Sequence, residues 1–77
     1  MASVIYFGPL KNITNCNAES FEVTSFKELK MLIEQKYGQE VEELFKYCAF
    51  WKNGDEFSGD EISADDEIEI LPPVSGG

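Results

Sequence analysis

The sequence contains no histidine, only two cysteines, one tryptophan, and six basic residues against 15 acidic ones. Each scarcity removes a class of function. Without histidine the commonest metal ligand and the commonest general base are missing, and Cys16 and Cys48 form no Cys-x-x-Cys pair, so a zinc site of the usual kind lacks ligands. The formal net charge of −9 repels phosphate backbones and anionic membranes, which argues against nucleic-acid or lipid binding. Two readings of that charge stand side by side: plain solubility, or steering toward basic partners, which raises association rates by about 10 to 1000-fold at low salt. No apolar run approaches the ~20 residues of a membrane span. The start, Met1-Ala2-Ser3-Val4-Ile5, has no basic region followed by a long apolar core, so the chain is expected in the cytoplasm. Asn12-Ile13-Thr14 is then a glycosylation pattern by accident. A disulfide is not expected there either. Cys48, in an apolar run, reads as a small buried hydrophobe, and Cys16 lies among polar loop residues.

Catalytic patterns are also missing. The sequence has no nucleophile elbow and no glycine-rich phosphate loop, and residues 58–66 lack the Asp-x-Asp-x-Asp-Gly pattern of a calcium loop. The acidic pairs Asp60-Glu61 and Asp65-Asp66 are adjacent in sequence on a polar connection, which suits a solvated face better than paired acid and base work. A chain of 77 residues buries only about 60% of its unfolded surface, leaving little to wall a private pocket. The expectation is a domain that is not catalytic alone and binds no cofactor of its own.

What is present is one small domain, 43% hydrophobic and 27% charged. Ser3 to Phe7 is β-branched and aromatic and reads as a strand ended by Gly8-Pro9. Both its faces are apolar, Val4 with Tyr6 and Ile5 with Phe7, so the strand is either covered on both sides or half-committed to a partner; the second is favoured. A polar loop with Asn12, Asn15 and Asn17 leads to a second strand over Ser20 to Val23, with a hairpin as the economical connection. Ser25 and Glu28 form a capping box that opens the main helix. Phe26, Leu29, Leu32, Ile33 and Tyr37 make its apolar stripe, and Gly38 stops it. Val41, Leu44, Phe45 and Cys48 repeat at helical spacing and predict a short second helix. Cys48 to Lys52 is a third strand, Asn53-Gly54 a two-residue turn, and Glu56-Phe57 its short return. The last strand is Glu67 to Leu71, with Ile68 and Ile70 facing the core. The predicted fold class is α+β: one sheet packed on one main helix plus a short second helix.

Residues 1–71 form the domain and 72–77, Pro-Pro-Val-Ser-Gly-Gly, a tail. Pro72 and Pro73 favour an extended arm, so the tail is long enough to carry the Gly77 carboxylate roughly 15 to 20 Å beyond the last strand. Gly76 and Gly77 have no β-carbons and pass through a channel too narrow for other dipeptides. Composition alone also allows an ordinary frayed terminus.

The strand-helix-strand order, Asn53-Gly54, Asp66-Glu67-Ile68 and above all Leu71-Pro72-Pro73-Val74-Ser75-Gly76-Gly77 resemble the small subunit of molybdopterin synthase, a ubiquitin-like sulfur carrier of the β-grasp fold. Where that family often has Asp-Gly-Asp before the last strand, Ala64-Asp65-Asp66 stands here, with Asp65 in the glycine place, and the family's usual Ala-Val-Asn-Gly is Trp51-Lys52-Asn53-Gly54. The resemblance implies a mixed sheet and a borrowed chemistry. An adenylyltransferase of the ubiquitin-activating type, using ATP and magnesium, converts the Gly77 carboxylate to an acyl-adenylate. A persulfide donor then leaves a C-terminal thiocarboxylate. Inserted into the large catalytic subunit, in a heterotetramer of two small subunits flanking a large-subunit dimer, the tail gives its sulfur to cyclic pyranopterin monophosphate in molybdenum cofactor biosynthesis. Gly77 is thus the reacting residue. Partner-binding candidates are Phe7, Phe57, Leu71 and the tail residues Pro72, Pro73, Val74, Ser75 and Gly76. A carrier for another pathway, such as thiamin thiazole formation, or a ubiquitin-like protein modifier remains the alternative.

Overall fold

The capping box organises the longest helix as the sequence predicts. In the computed structural model, which describes residues 1–73, Ser25 Oγ accepts from the Glu28 amide at 3.1 Å, and Glu28 Oε1 accepts from the Thr24 amide at 3.2 Å. Two donors that the first turn would leave orphaned or exposed are thereby satisfied. This helix, α2, runs Phe26–Tyr37 and ends at Gly38, whose φ of 91° favours glycine. Leu29 and Ile33 are fully buried, with Phe26, Leu32 and Tyr37 packed at the edges of the same core.

The sheet beneath it has five strands: β1 (Ala2–Tyr6), β2 (Ala18–Phe21), β3 (Ala49–Lys52), β4 (Asp55–Glu56) and β5 (Glu67–Leu71). Their order is β2-β1-β5-β3-β4, with β1 and β5 parallel and the other pairs antiparallel. Placing the first and last strands side by side in parallel, with a helical crossover between, gives the mixed ubiquitin-like β-grasp sheet. Alternation settles the faces. Ala2, Val4 and Tyr6 from β1 and Ile68 and Ile70 from β5 are buried under α2, and the residues between them point to the opposite side.

Three expectations are corrected. The polar loop after β1 contains a helix, α1 (Pro9–Thr14), so the antiparallel β1–β2 pair is joined by more than a hairpin turn. Pro9 sits at the helix start, where its missing amide hydrogen costs nothing, and Leu10, Ile13 and Thr14 share one face. Leu10 is fully buried, and Thr14 Oγ1 lies 2.8 Å from the Leu10 carbonyl, so docking stabilises a helix too short to stand alone. The second strand begins two residues earlier than predicted. Asp65, which stands where the resembling family has glycine and where a left-handed backbone would be expected, has none: among the described residues the only non-glycine positions with positive φ are Asn15 and Asn53. The last of these, with Gly54, makes the predicted tight turn into β4.

The short second helix forms as α3 (Gln39–Phe45), burying Val41 and Phe45. Both cysteines are free and half-buried. Cys48 Sγ donates to the Leu44 carbonyl, and burial pushes its pKa up to about 11, so it behaves as packing and not as a nucleophile.

One carboxylate locks β2 to the rest. Glu19 Oε2 accepts from Tyr6 Oη at 2.7 Å and Tyr37 Oη at 2.5 Å, while Lys36 Nζ donates to Oε1 at 2.6 Å. Burial alone would raise the Glu19 pKa, but the hydrogen bonds from Lys36, Tyr37 and Tyr6 together outweigh it and hold the carboxyl below its usual value. The folded state therefore favours the ionised form. Its contribution is full above the ordinary glutamate pKa and is lost as pH falls through the depressed one. Glu19→Gln is expected to cost about 1 kcal/mol at neutral pH and to reduce the stability lost on acidification, measured by urea titrations at a series of pH values. An unchanged acid dependence would show that the network carries no linkage.

Candidate functional site

The face of the sheet turned away from α2 is lined by side chains from the three inner strands and by Phe7, the residue that follows β1. Ile5, Phe7, Trp51 and Leu71 are half-buried, and none belongs to the main core cluster. Register explains why they meet. Ile5 pairs with Glu69, and Glu69 with Trp51, while Leu71 pairs with Ala49. Tyr6, the last residue of β1, pairs with Ile70, so Phe7 and Leu71 each follow directly on the last pair of the parallel ladder. The result is a strip of half-buried apolar side chains crossing β1, β5 and β3, with the half-buried Glu69 of β5 between Ile5 and Trp51.

The strip ends where the chain leaves the sheet. β5 stops at Leu71, and Pro72 and Pro73 follow outside any strand. Pro72 packs against the turn from β1 into α1: a β-carbon placed on Gly8 would lie 3.1 Å from Pro72 Cγ, and Gly8 has a φ of +59°. A side chain at Gly8 would thus be both strained and crowded, so glycine there fixes where the tail departs. Val74, Ser75, Gly76 and Gly77 lie outside the described residues.

Phe7 and Leu71 therefore share a face, as the sequence suggests, and Pro72 stands next to them. Phe57 does not join them. Its amide donates to the Phe50 carbonyl, its ring sits 4.7 Å from that of Phe26 on the helix-covered side, and Lys52 Nζ lies 5.0 Å from its centroid. It closes the edge of the core with Phe26, Phe45 and Phe50. Ile5, which the sequence places on the same face as Phe7, is not among the partner-binding candidates, and the sequence reading does not place Trp51 on that face at all. The signal for Trp51 was its alternation with Phe50 in one strand, which puts the two rings on opposite faces.

The residues that carry the sequence resemblance also converge. Asn53 Nδ2 donates to Asp66 Oδ1 at 2.8 Å, Asn53 Oδ1 accepts from the Glu67 amide at 2.9 Å, and Asp66 Oδ2 accepts from the Ser63 amide at 2.7 Å. The Ser63 amide and the Asn53 side chain hold the Asp66 carboxyl below its usual pKa. This cluster pins the β3–β4 turn to the start of β5 and sets the strand that launches the tail. It is architectural. Among the described residues no group of three or more potential ligands is placed to hold a metal ion, and no helix is long and apolar enough to cross a membrane.

A mixed β-grasp sheet with one apolar open face, ending in a strand that feeds a proline-led tail, defines a ubiquitin-like carrier-type domain. The family model for the ThiS family matches residues 4–77, and the chain belongs to that family. Several solved structures share the fold, these three among them. The first is SAMP1 from Haloferax volcanii, 20% identical with a TM-score of 0.79, the match covering 99% of this chain and 98% of that one. The second is a complex of subunits 1 and 2 of the molybdopterin-converting factor from Helicobacter pylori 26695, 26% identical with a TM-score of 0.74, covering 99% and 97%. The third is a Pyrococcus furiosus protein named for subunit 1 of molybdopterin converting factor, 20% identical with a TM-score of 0.76, covering 95% and 97%. No curated protein sequence matches the chain.

Proposed function

We propose that this chain is the sulfur-carrier small subunit of a molybdopterin synthase, with Gly77 as the residue that is adenylated, thiocarboxylated and presented to a large catalytic subunit. The observation that carries the reading is the continuity of the strip Ile5, Phe7, Trp51 and Leu71 with the strand that ends at Leu71, immediately before Pro72. A partner docked on that strip receives the tail in one orientation. The Helicobacter pylori structure, a complex of subunits 1 and 2, supports a large-subunit partner. Activation belongs to a separate adenylyltransferase of the ubiquitin-activating type using ATP and magnesium, because a carboxylate is inert until its oxygen becomes part of a leaving group. Residues 72–77 act as the extended carrier arm, and the chain binds no cofactor itself.

Intact-mass measurement of the chain purified from cells that contain the activating enzyme is expected to show a species with one oxygen exchanged for sulfur at the C-terminus. Replacing Phe7 by serine is expected to weaken docking by about 1–2 kcal/mol without removing that species' chemistry. Persistent absence of the sulfur-bearing form would reject the carrier reading. Gly77 found instead in isopeptide linkage to lysines would favour a protein modifier, and a thiazole synthase recovered as the sulfur acceptor would favour the thiamin branch.

A further inference from the structure

A second surface lies next to the root of the tail. Helices α1 and α3 leave an open groove of about 270 Å³ between them, lined by Pro9, Ile13, Leu44 and Tyr47 and edged by Glu40 and Glu43. Tyr47 is 68% exposed, an aromatic ring at the rim that the fold does not use. A domain this small has few large apolar side chains to spare. The rim carries acid on α3, and Lys46, bonded to Glu43 at 3.3 Å, leaves Glu40 with no ion-pair partner among the described residues. The groove also begins at Pro9, one residue beyond Gly8, against which Pro72 packs.

An apolar floor with an acidic edge fits a segment that offers an apolar anchor flanked by lysines or arginines. We infer that the adenylating partner inserts such a basic, apolar segment between α1 and α3, gripping the domain on both sides of the tail's root. This inference rests on the carrier reading and adds a second contact to it. With two contacts on either side of Pro72, rotation of the domain about its tail is restricted, so the carboxylate is presented in one orientation. The acidic rim also explains part of what the net charge of −9 does.

The test is a titration of the isotope-labelled full chain with the adenylating enzyme purified from the same organism, followed by amide resonances. Signals of Ile13, Leu44 and Tyr47 are expected to respond together with those of Ile5, Phe7 and Leu71. The double variant Tyr47→Ser with Glu40→Lys, both at solvent-facing positions, is expected to bind about tenfold more weakly, with a shallower salt dependence and unchanged thermal unfolding. A response confined to the sheet strip, with the double variant binding normally, overturns the groove and leaves the carrier reading standing. No response on either surface overturns both. A concentration-dependent dimer of the chain alone that is lost in Tyr47→Ser would assign the groove to a second copy and overturn the basic partner segment.

Discussion

Gly77→Ala is expected to slow sulfur transfer by about 100-fold or more while leaving the fold untouched. The physical reason is placement. In the proposed reaction the thiocarboxylate sulfur must arrive within bonding distance of the acceptor that the partner holds, and a displacement of about 1 Å from that geometry costs on the order of 100-fold in rate. Alanine adds a β-carbon where a glycine pair would pass through a narrow channel, and it narrows the backbone angles open to the terminus. One residue added after Gly77 should impair transfer as severely, because it moves the carboxylate beyond the reacting position. Neither change touches the core, which is complete by Leu71. The measurement is a single-turnover transfer rate beside a thermal melt of the same sample. Normal transfer by the alanine variant would remove the narrow-channel argument, and a lowered melting temperature would show that the end of the tail packs on the domain.

Ile33→Ala is expected to have the largest effect on stability. Ile33 is fully buried at the centre of the stripe that α2 lays on the sheet. Truncating such a residue removes its transfer free energy and leaves a cavity that neighbours only partly fill, at a cost of about 2–5 kcal/mol. A domain of this length has only ~4–12 kcal/mol in total, so the variant should be marginal near body temperature. The 12-residue helix is weak alone and depends on this docking. Urea denaturation should show a large fall in midpoint with little change in slope. The fraction of molecules competent for transfer should fall with the folded fraction, while the rate per folded molecule stays the same. Exposed Met31 on the same helix provides the control, since Met31→Ala should cost well under 1 kcal/mol.

The contrast between Ile33 and α1 shows where sequence reading succeeds. α2 was legible because capping chemistry, periodicity and the glycine stop all agree along one stretch. The last strand was legible for the same reason, with Ile68 and Ile70 alternating against glutamates and both found buried. α1 was missed because the helix signal of Pro9, Leu10, Ile13 and Thr14 is spread over only six residues among asparagines, and what makes it a helix is the buried site that receives Leu10. Phe57 was misplaced for a related reason. Its strand has only two residues, Asp55 and Glu56, so the side of the sheet on which the next ring falls follows from pairing with Phe50 and contact with Phe26.

The site divides along the same line. The sequence by itself determined the absence of histidine chemistry, the acidic balance, the α+β order and the run Pro-Pro-Val-Ser-Gly-Gly after a core strand. These are local properties, set by which residues are present and how they are spaced. Only the tertiary structure decided that Trp51 lies on the same face as Ile5, Phe7 and Leu71, that Gly8 meets Pro72, and that α1 and α3 leave a groove beside that junction. The reason is the parallel pairing of β1 with β5. It brings the two ends of the domain together, and a non-local pairing of that kind is set by the burial of Val4, Tyr6, Ile68 and Ile70 under one helix and not by any neighbouring residues in the chain.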